Sequence, residues 1–300
     1  MRALIQNLLS LVLTIAGILL LLTTPSHSQS TFVPTRFTMV VEGPATASPV
    51  LLLPGLTSGR EVFDSEAKLL VTNHRLYRVQ VNGFAGQPAG PNASSPLLVP
   101  IVEELHQYLQ ANKLHPAVIG HSLGGLLGLM LAQAHPEDVQ KLMIVDALPF
   151  YALVFNPQAK VEMVAPQAKA MREQLLSASD QARAAQSAET AAYLCKNAAG
   201  QDTVAHDSQT SDRTVMANAM YEDLTTDLRP GLANIKTQTV LLYPFDAAAV
   251  GPDPSRIDAV YAGAYKAMPN LTMHRIDNSR HFIMFDQPAA FDAQVQAFLR

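Results

Sequence analysis

The sequence predicts an α/β protein: a mostly parallel central sheet with helices on both faces and a block of helices inserted before its last strands. Three observations carry this. Short, uninterrupted apolar runs alternate with longer amphipathic stretches from about residue 35 onward, the order that builds a parallel sheet covered on both sides. A long segment, 158–199, is rich in Ala, Gln, Glu, Lys and Arg and holds no strand-like run. Strand signals then return near residue 239, so the helical block is an insertion and not a second domain in tandem.

Each element has its own signal. Phe37-Thr-Met-Val-Val41 reads as an early strand, and Pro49-Val-Leu-Leu-Leu-Pro54 as a buried strand stopped by Pro54-Gly55. A helical pattern over 60–71 precedes the strand 75–81, and the glycine- and proline-rich stretch 83–96 reads as a loop. Leu98, Ile101, Val102, Leu105, Tyr108 and Leu109 recur at helical spacing within 97–114. The very short runs 116–120 and 141–145 read as central strands buried on both faces, with a helix over 123–135 between them. Two or three helices are expected in 158–199 and one more over 213–225. Strands over 239–243 and 271–276 and a closing helix over 285–300 complete the chain.

Composition narrows the function. With 48% hydrophobic and 15% charged residues the chain is not of the disordered class, and its single cysteine, Cys195, excludes a disulfide scaffold. A formal charge of −4 offers no basic surface for a nucleic-acid partner. The first residues stand apart. After Arg2, the uncharged run from Leu8 to Leu22 is too short to span a bilayer, and Pro25, Ser26 and Ser28 follow it. Residues 1–28 are therefore expected to be an export signal cut between Ser28 and Gln29, leaving a periplasmic or secreted protein with no membrane span unless the leader is retained.

The most informative residues are Gly120-His-Ser-Leu-Gly124, where the buried strand over 116–120 passes directly into a helix. That is the context of a nucleophile elbow. Glycines at both ends let the two arms of the sharp turn pass each other, and Ser122 is presented at the carboxyl end of the sheet beside a helix N-terminus. A serine in such a place needs a base to take its proton. His281, in Asn278-Ser-Arg-His-Phe282 just past the last strand, is the histidine positioned for it. His121 points away from that task, and His74, His106, His115, His135, His206 and His274 lie elsewhere.

Four segments, Leu-Leu-Leu-Pro-Gly-Leu at 51–56, Gly-His-Ser-Leu-Gly-Gly at 120–125, Val-Leu-Leu-Tyr-Pro-Phe-Asp at 240–246 and Asn-Ser-Arg-His-Phe at 278–282, resemble the α/β-hydrolase family, and within it the serine esterases and lipase-like hydrolases with a helical cap. The resemblance covers the whole chain after the leader. It implies an α/β-hydrolase fold with hydrolase core parts at 29–149 and 233–300 and a cap insertion at 150–232. It also implies a triad of Ser122, Asp246 and His281. Asp246 follows its strand about one position early, with Pro244 where the family commonly has glycine, and Asp146, Asp253 and Asp277 are the other carboxylates considered for the role. The oxyanion donors implied are the backbone N–H groups of Leu123 and Leu56, although Pro54 stands where relatives often carry histidine.

Phe150, Tyr151, Leu153 and Phe155, together with Met163, Met171, Met216 and Met220 on the cap helices, are candidate pocket residues for an apolar or aromatic acyl substrate, and the loop beginning at Gly83 is a candidate lid. The expected activity is ester or other acyl hydrolysis through an acyl-enzyme, with no metal or organic cofactor required. An aminopeptidase, a carbon–carbon bond hydrolase or a perhydrolase would keep the same triad. A non-catalytic binder on the same scaffold is the remaining reading, and the presence of both Ser122 and His281 argues against it.

Overall fold

The computed structural model describes residues 32–94 and 96–300; the leader expected over 1–28 and its cleavage point lie outside the described residues. Residues 32–300 form one compact unit. Its centre is a seven-stranded sheet of β1 (Phe37–Glu42), β2 (Ser48–Leu53), β3 (His74–Val81), β4 (Ala117–His121), β5 (Lys141–Val145), β6 (Thr239–Phe245) and β7 (Leu271–Asp277). The spatial order is β1-β3-β2-β4-β5-β6-β7. β1 runs antiparallel to β3, and all other neighbours are parallel.

The strand sequences explain their central position. Side chains alternate across the pleat, so a strand covered on both faces needs apolar residues at every position. Leu51, Leu53, Val118, Leu142 and Ile144 enter one hydrophobic cluster. Their neighbours Val50, Leu52, Ile119, Met143 and Val145 enter a second cluster on the opposite face. Helices α1 (Asp64–Leu70), α2 (Leu98–Ala111) and α3 (Leu123–Ala134) follow the early strands. In α2 the buried residues are Leu98, Ile101, Val102, Leu105 and Leu109, one stripe of an amphipathic helix. α3 has no such stripe; it is apolar nearly all round because it lies in the middle of the molecule.

Between β5 and β6 the chain leaves the sheet for four helices: α4 (Val161–Ser177), α5 (Asp180–Leu194), α6 (Ala198–Thr210) and α7 (Arg213–Thr225). Side chains cap three of them, Ser179 for α5, Asn197 for α6 and Asp212 for α7. The insertion is fastened to the core by directed bonds. The Gly59 N–H donates to Asp207 (2.8 Å), the Asp212 N–H to the Gly83 carbonyl (2.7 Å), and the Leu97 and Leu98 N–H groups to Glu222 (2.8 and 2.9 Å). Glu222 thereby satisfies the open N-terminus of α2, which has no cap of its own. The loop at Gly83 is thus bound to the insertion on one side.

Two elements differ from the sequence reading. The segment after β6, which shows no helical stripe, forms α8 (Ala247–Val250) and α9 (Ser255–Ala264), and only Tyr261 and Ala264 of α9 are buried. The closing helix is divided into α10 (Ile283–Asp286) and α11 (Pro288–Leu299), because Pro288 starts a new helix at its first position. Among the described residues no helix is long and apolar enough to cross a membrane.

Candidate active site

Ser122 sits between β4 and α3 with φ 54° and ψ −123°, a conformation L-residues seldom adopt. Its N–H donates to the Val145 carbonyl of the neighbouring strand (2.9 Å), and its own carbonyl accepts from the N–H groups of Gly125 and Leu126 (2.8 and 3.1 Å), so the turn is held from both sides. The flanking glycines are obligatory. A Cβ on Gly120 would lie 2.2 Å from the Gly124 carbonyl oxygen, and one on Gly124 would lie 2.1 Å from that of Leu53.

His281 follows β7, and its Nδ1 is 2.6 Å from Oδ2 of Asp146. Asp146 is the first residue after β5. Its N–H donates to the Leu242 carbonyl (2.8 Å), and its φ of 48° turns the chain off the strand. Its other oxygen, Oδ1, accepts the hydroxyl of Tyr261 from α9. Burial, with the Asp146 carboxylate beside it, pushes the Tyr261 pKa well above the ordinary phenol value, so the hydroxyl remains a donor. The imidazole of His121 is buried behind His281, and its Nε2 donates to the His281 carbonyl (3.1 Å). Burial, aided by the nearby His281, holds His121 well below the usual imidazole pKa and therefore uncharged. His121 thus supports the His281 loop from beneath.

The sequence expectation for the acid is corrected by this geometry. Asp246 does not meet His281. Its Oδ1 accepts from Lys196 Nζ and its Oδ2 from Arg280 Nε, both at 2.9 Å. The Lys196 hydrogen bond, followed by that of Arg280, holds its carboxyl below the usual range despite burial. Strand register gives the reason. Val145 of β5 pairs with Leu242 of β6, and His121 of β4 pairs with Val145. Ser122 and Asp146 therefore lie at one level, whereas Asp246 is three residues further along its strand direction, roughly 10 Å beyond. Asp253 is exposed and caps Ser255, and Asp277 pairs with Arg275, so neither reaches the histidine.

Ser122, His281 and Asp146 line one cavity of about 390 Å³. Asp246 lines it too, but through its Lys196 and Arg280 pairs. Leu56 lies in the cavity wall on the turn after β2, and Leu123 is the first residue of α3. Neither N–H donates a hydrogen bond among the described residues, so both remain available. Thr57, next to Leu56, has φ 61°, uncommon for a β-branched residue. Strained backbone at Thr57, Ser122 and Asp146 thus marks the carboxyl ends of three adjacent strands around one cavity. Ser122 Oγ and His281 form no hydrogen bond with each other, a contact that in many ligand-free sites closes only around substrate.

The candidate pocket residues divide. Tyr151, Met216 and Met220 line the cavity; Phe150 and Leu153 are core residues instead, with Arg229 over the Phe150 ring. Phe155 is 74% exposed, and Met163 and Met171 also face outward. Among the described residues, ligand atoms of His106, His135 and Asp138 lie within 4.8 Å of one another, outside the cavity wall. The two imidazoles are stacked at 3.8 Å and 12°, with His106 Nδ1 bonded to Asp138 and His135 Nε2 to Glu103. In-plane lone pairs of near-parallel rings do not converge on one ion, so this group is a hydrogen-bonded stack.

A parallel sheet with a strained strand-to-helix serine turn and a histidine–carboxylate pair at its carboxyl edge is the architecture of a hydrolase. Residues 50–294 match the Alpha/beta hydrolase family, and the chain belongs to that family. Over 258 residues it is 26% identical to the protein named "Putative carbamate hydrolase RutD" from Azorhizobium caulinodans, covering 84% of this chain and 91% of that one. Over 113 residues it is 32% identical to the sn-1-specific diacylglycerol lipase ABHD11 of Mus musculus, a match spanning 37% of this chain and only 36% of the lipase. Among solved structures, the enol-lactonase from Burkholderia xenovorans superimposes with a TM-score of 0.70 at 15% identity, covering 88% of this chain and 96% of that one. A hydrolase from Pseudomonas aeruginosa gives a TM-score of 0.70 at 19% identity, covering 88% and 94%.

Proposed function

We propose that this protein is an exported serine hydrolase that cleaves an ester or related acyl bond through Ser122, His281 and Asp146, residues 150–232 forming a cap over core parts 29–149 and 233–300. The observation that carries this reading is the convergence of the Ser122 turn and the His281–Asp146 hydrogen bond on one cavity. Ser122 Oγ attacks the acyl carbonyl while His281 Nε2 takes its proton, and Asp146 fixes the ring with Nδ1–H directed at its carboxylate. The N–H groups of Leu123 and Leu56 receive the oxyanion, each contributing roughly 3 kcal/mol to lowering the barrier. Collapse expels the alcohol, protonated by the imidazolium. Water then attacks the acyl-enzyme, giving its proton to His281, and the acid leaves as Ser122 is regenerated. None of these steps draws on a metal or organic cofactor.

Leu126, Leu148, Tyr151, Met216 and Met220 give the cavity an apolar wall suited to an apolar or aromatic acyl chain. The similar proteins, named for carbamate, diacylglycerol and enol-lactone substrates, support acyl-bond cleavage as the reaction class. The test is covalent labelling with a fluorophosphonate. Wild-type protein is expected to be labelled at Ser122 and the Ser122→Ala variant to remain unlabelled; an unlabelled wild type with no turnover of p-nitrophenyl esters overturns the proposal. Export is tested separately, by N-terminal sequencing of the expressed full chain. A start at Gln29 in the exported fraction supports it, and an intact chain retained in the cytoplasm refutes it.

A further inference from the structure

Helix α7 passes over the cavity, and Met216, Met220 and Asp223, at positions i, i+4 and i+7, lie on its cavity face. The preceding residue, Glu222, points the other way, to the N-terminus of α2. Asp223 thus brings a third carboxyl to the cavity wall, beside those of Asp146 and Asp246, on a face it shares with two thioethers and near the ring of Tyr151.

The other charged groups in the wall have partners. Asp146 is held by His281 and Tyr261. Asp246 is neutralised by Lys196 and Arg280. Arg183 donates to the backbone carbonyl of Ser211 (3.1 Å). Asp223 alone among them makes no hydrogen bond and no ion pair with a described residue. Burial pushes its carboxyl up to about 7, against the opposing influence of His281. Asp223 is half-buried, and a carboxyl without a protein partner there is poorly compensated for the water it has lost. A cation placed against it would restore the ionised form and complete the site.

We propose that Asp223 is the specificity-determining residue of this cavity and that the substrate carries a protonated amine, held by Asp223 while the acyl carbonyl lies at Ser122. This rests on the reading of Ser122 as the nucleophile and adds to it the class of substrate: amine-bearing esters in place of purely apolar ones.

The experiment compares substrates of equal shape and different charge. On the alcohol side the pair is 2-(dimethylamino)ethyl butyrate and 3-methylbutyl butyrate; on the acyl side it is the p-nitrophenyl esters of 4-(dimethylamino)butyric and 5-methylhexanoic acid. At neutral pH the wild type is expected to prefer the amine of at least one pair by about tenfold or more in kcat/KM, the scale of one charge-assisted hydrogen bond. In Asp223→Asn that ratio should collapse towards one, with the loss in KM and not in kcat. Calorimetric binding of the same compounds to Ser122→Ala reads the preference without turnover, so a failed nucleophile assignment does not hide the result. Equal treatment of amine and carbon isostere in both pairs, or a preference that survives in Asp223→Asn, overturns the proposal.

Discussion

Exchanging Asp146 and Asp246 one at a time for asparagine separates catalysis from anchoring. In Asp146→Asn the ring of His281 keeps a neighbour of the same shape, but the amide no longer stabilises an imidazolium or selects the Nδ1–H tautomer. Turnover of a p-nitrophenyl ester is expected to fall by about 10⁴, the scale of the corresponding change in a serine protease triad, or roughly 5 kcal/mol of barrier. Asp246→Asn leaves the His281–Asp146 hydrogen bond in place, since Asp246 lies roughly 10 Å beyond the level of Asp146 along the sheet. What is lost is the bridge between Lys196, in the α5–α6 loop, and Arg280, next to His281. The Asp246 side chain is 4% exposed, but Lys196 is 34% and Arg280 28% exposed, so both cations can turn to water. The cost is therefore below the 3–5 kcal/mol of a fully buried pair, about 2 kcal/mol, or roughly 5 °C in thermal midpoint. Steady-state kinetics and circular dichroism melts on both variants are the assay. Asp146→Asn should lose turnover with an almost unchanged melt, and Asp246→Asn should melt earlier with turnover within about tenfold of wild type. If Asp246→Asn is the more catalytically damaged, the assignment of Asp146 is refuted.

Three further outcomes follow from the same structure. Tyr261→Phe removes the second support of Asp146 and leaves Oδ1 without its donor, which should reduce turnover roughly tenfold and stability by about 1 kcal/mol, read by kinetics and melting. Gly124→Ala sets a Cβ against the Leu53 carbonyl, and urea titration should show a loss of about 3 kcal/mol or an unfolded chain. Glu66 is buried without a partner, and burial, reinforced by Asp292 and Asp64, raises its pKa from 4.5 to about 8. The folded state thus binds this proton more tightly than the unfolded chain. The associated stability is complete below pH 4.5 and is lost as pH rises through 8. Glu66→Gln should remove that slope and exceed wild type at pH 8 by up to about 4 kcal/mol, whereas parallel stability–pH curves for the two proteins would contradict it.

The sheet was legible because central parallel strands must be apolar at every position, so β2, β4 and β5 stand out as unbroken runs, and the serine turn was legible because its constraint is local. Gly120 and Gly124 are needed by the backbone on either side of Ser122 and appear within five residues of it. The carboxylate that meets His281 obeys no such local rule. Its position is fixed by which strand end lies level with Ser122, a property of register between chains of hydrogen bonds far apart in sequence. β6 continues two residues past the level of Asp146, remaining paired with β7 as far as Phe245 and Asp277. The aspartate that follows β6 is thereby carried past the histidine, and the one that ends the short strand β5 meets it. A signal did exist in Lys141-Leu-Met-Ile-Val-Asp146: a five-residue strand, buried from Leu142 onward, that stops at a carboxylate, beside a strand of equal length that stops at the serine. Length-matched neighbouring strands end at one height, and a charged residue directly at that end faces what the neighbour presents. Asp223 was illegible for a similar cause, since its sequence surroundings on α7 resemble those of Glu222 in every respect except angle. One residue of helix separates an acid that caps a neighbouring helix from an acid that faces the cavity, and only the docking of α7 decides which is which.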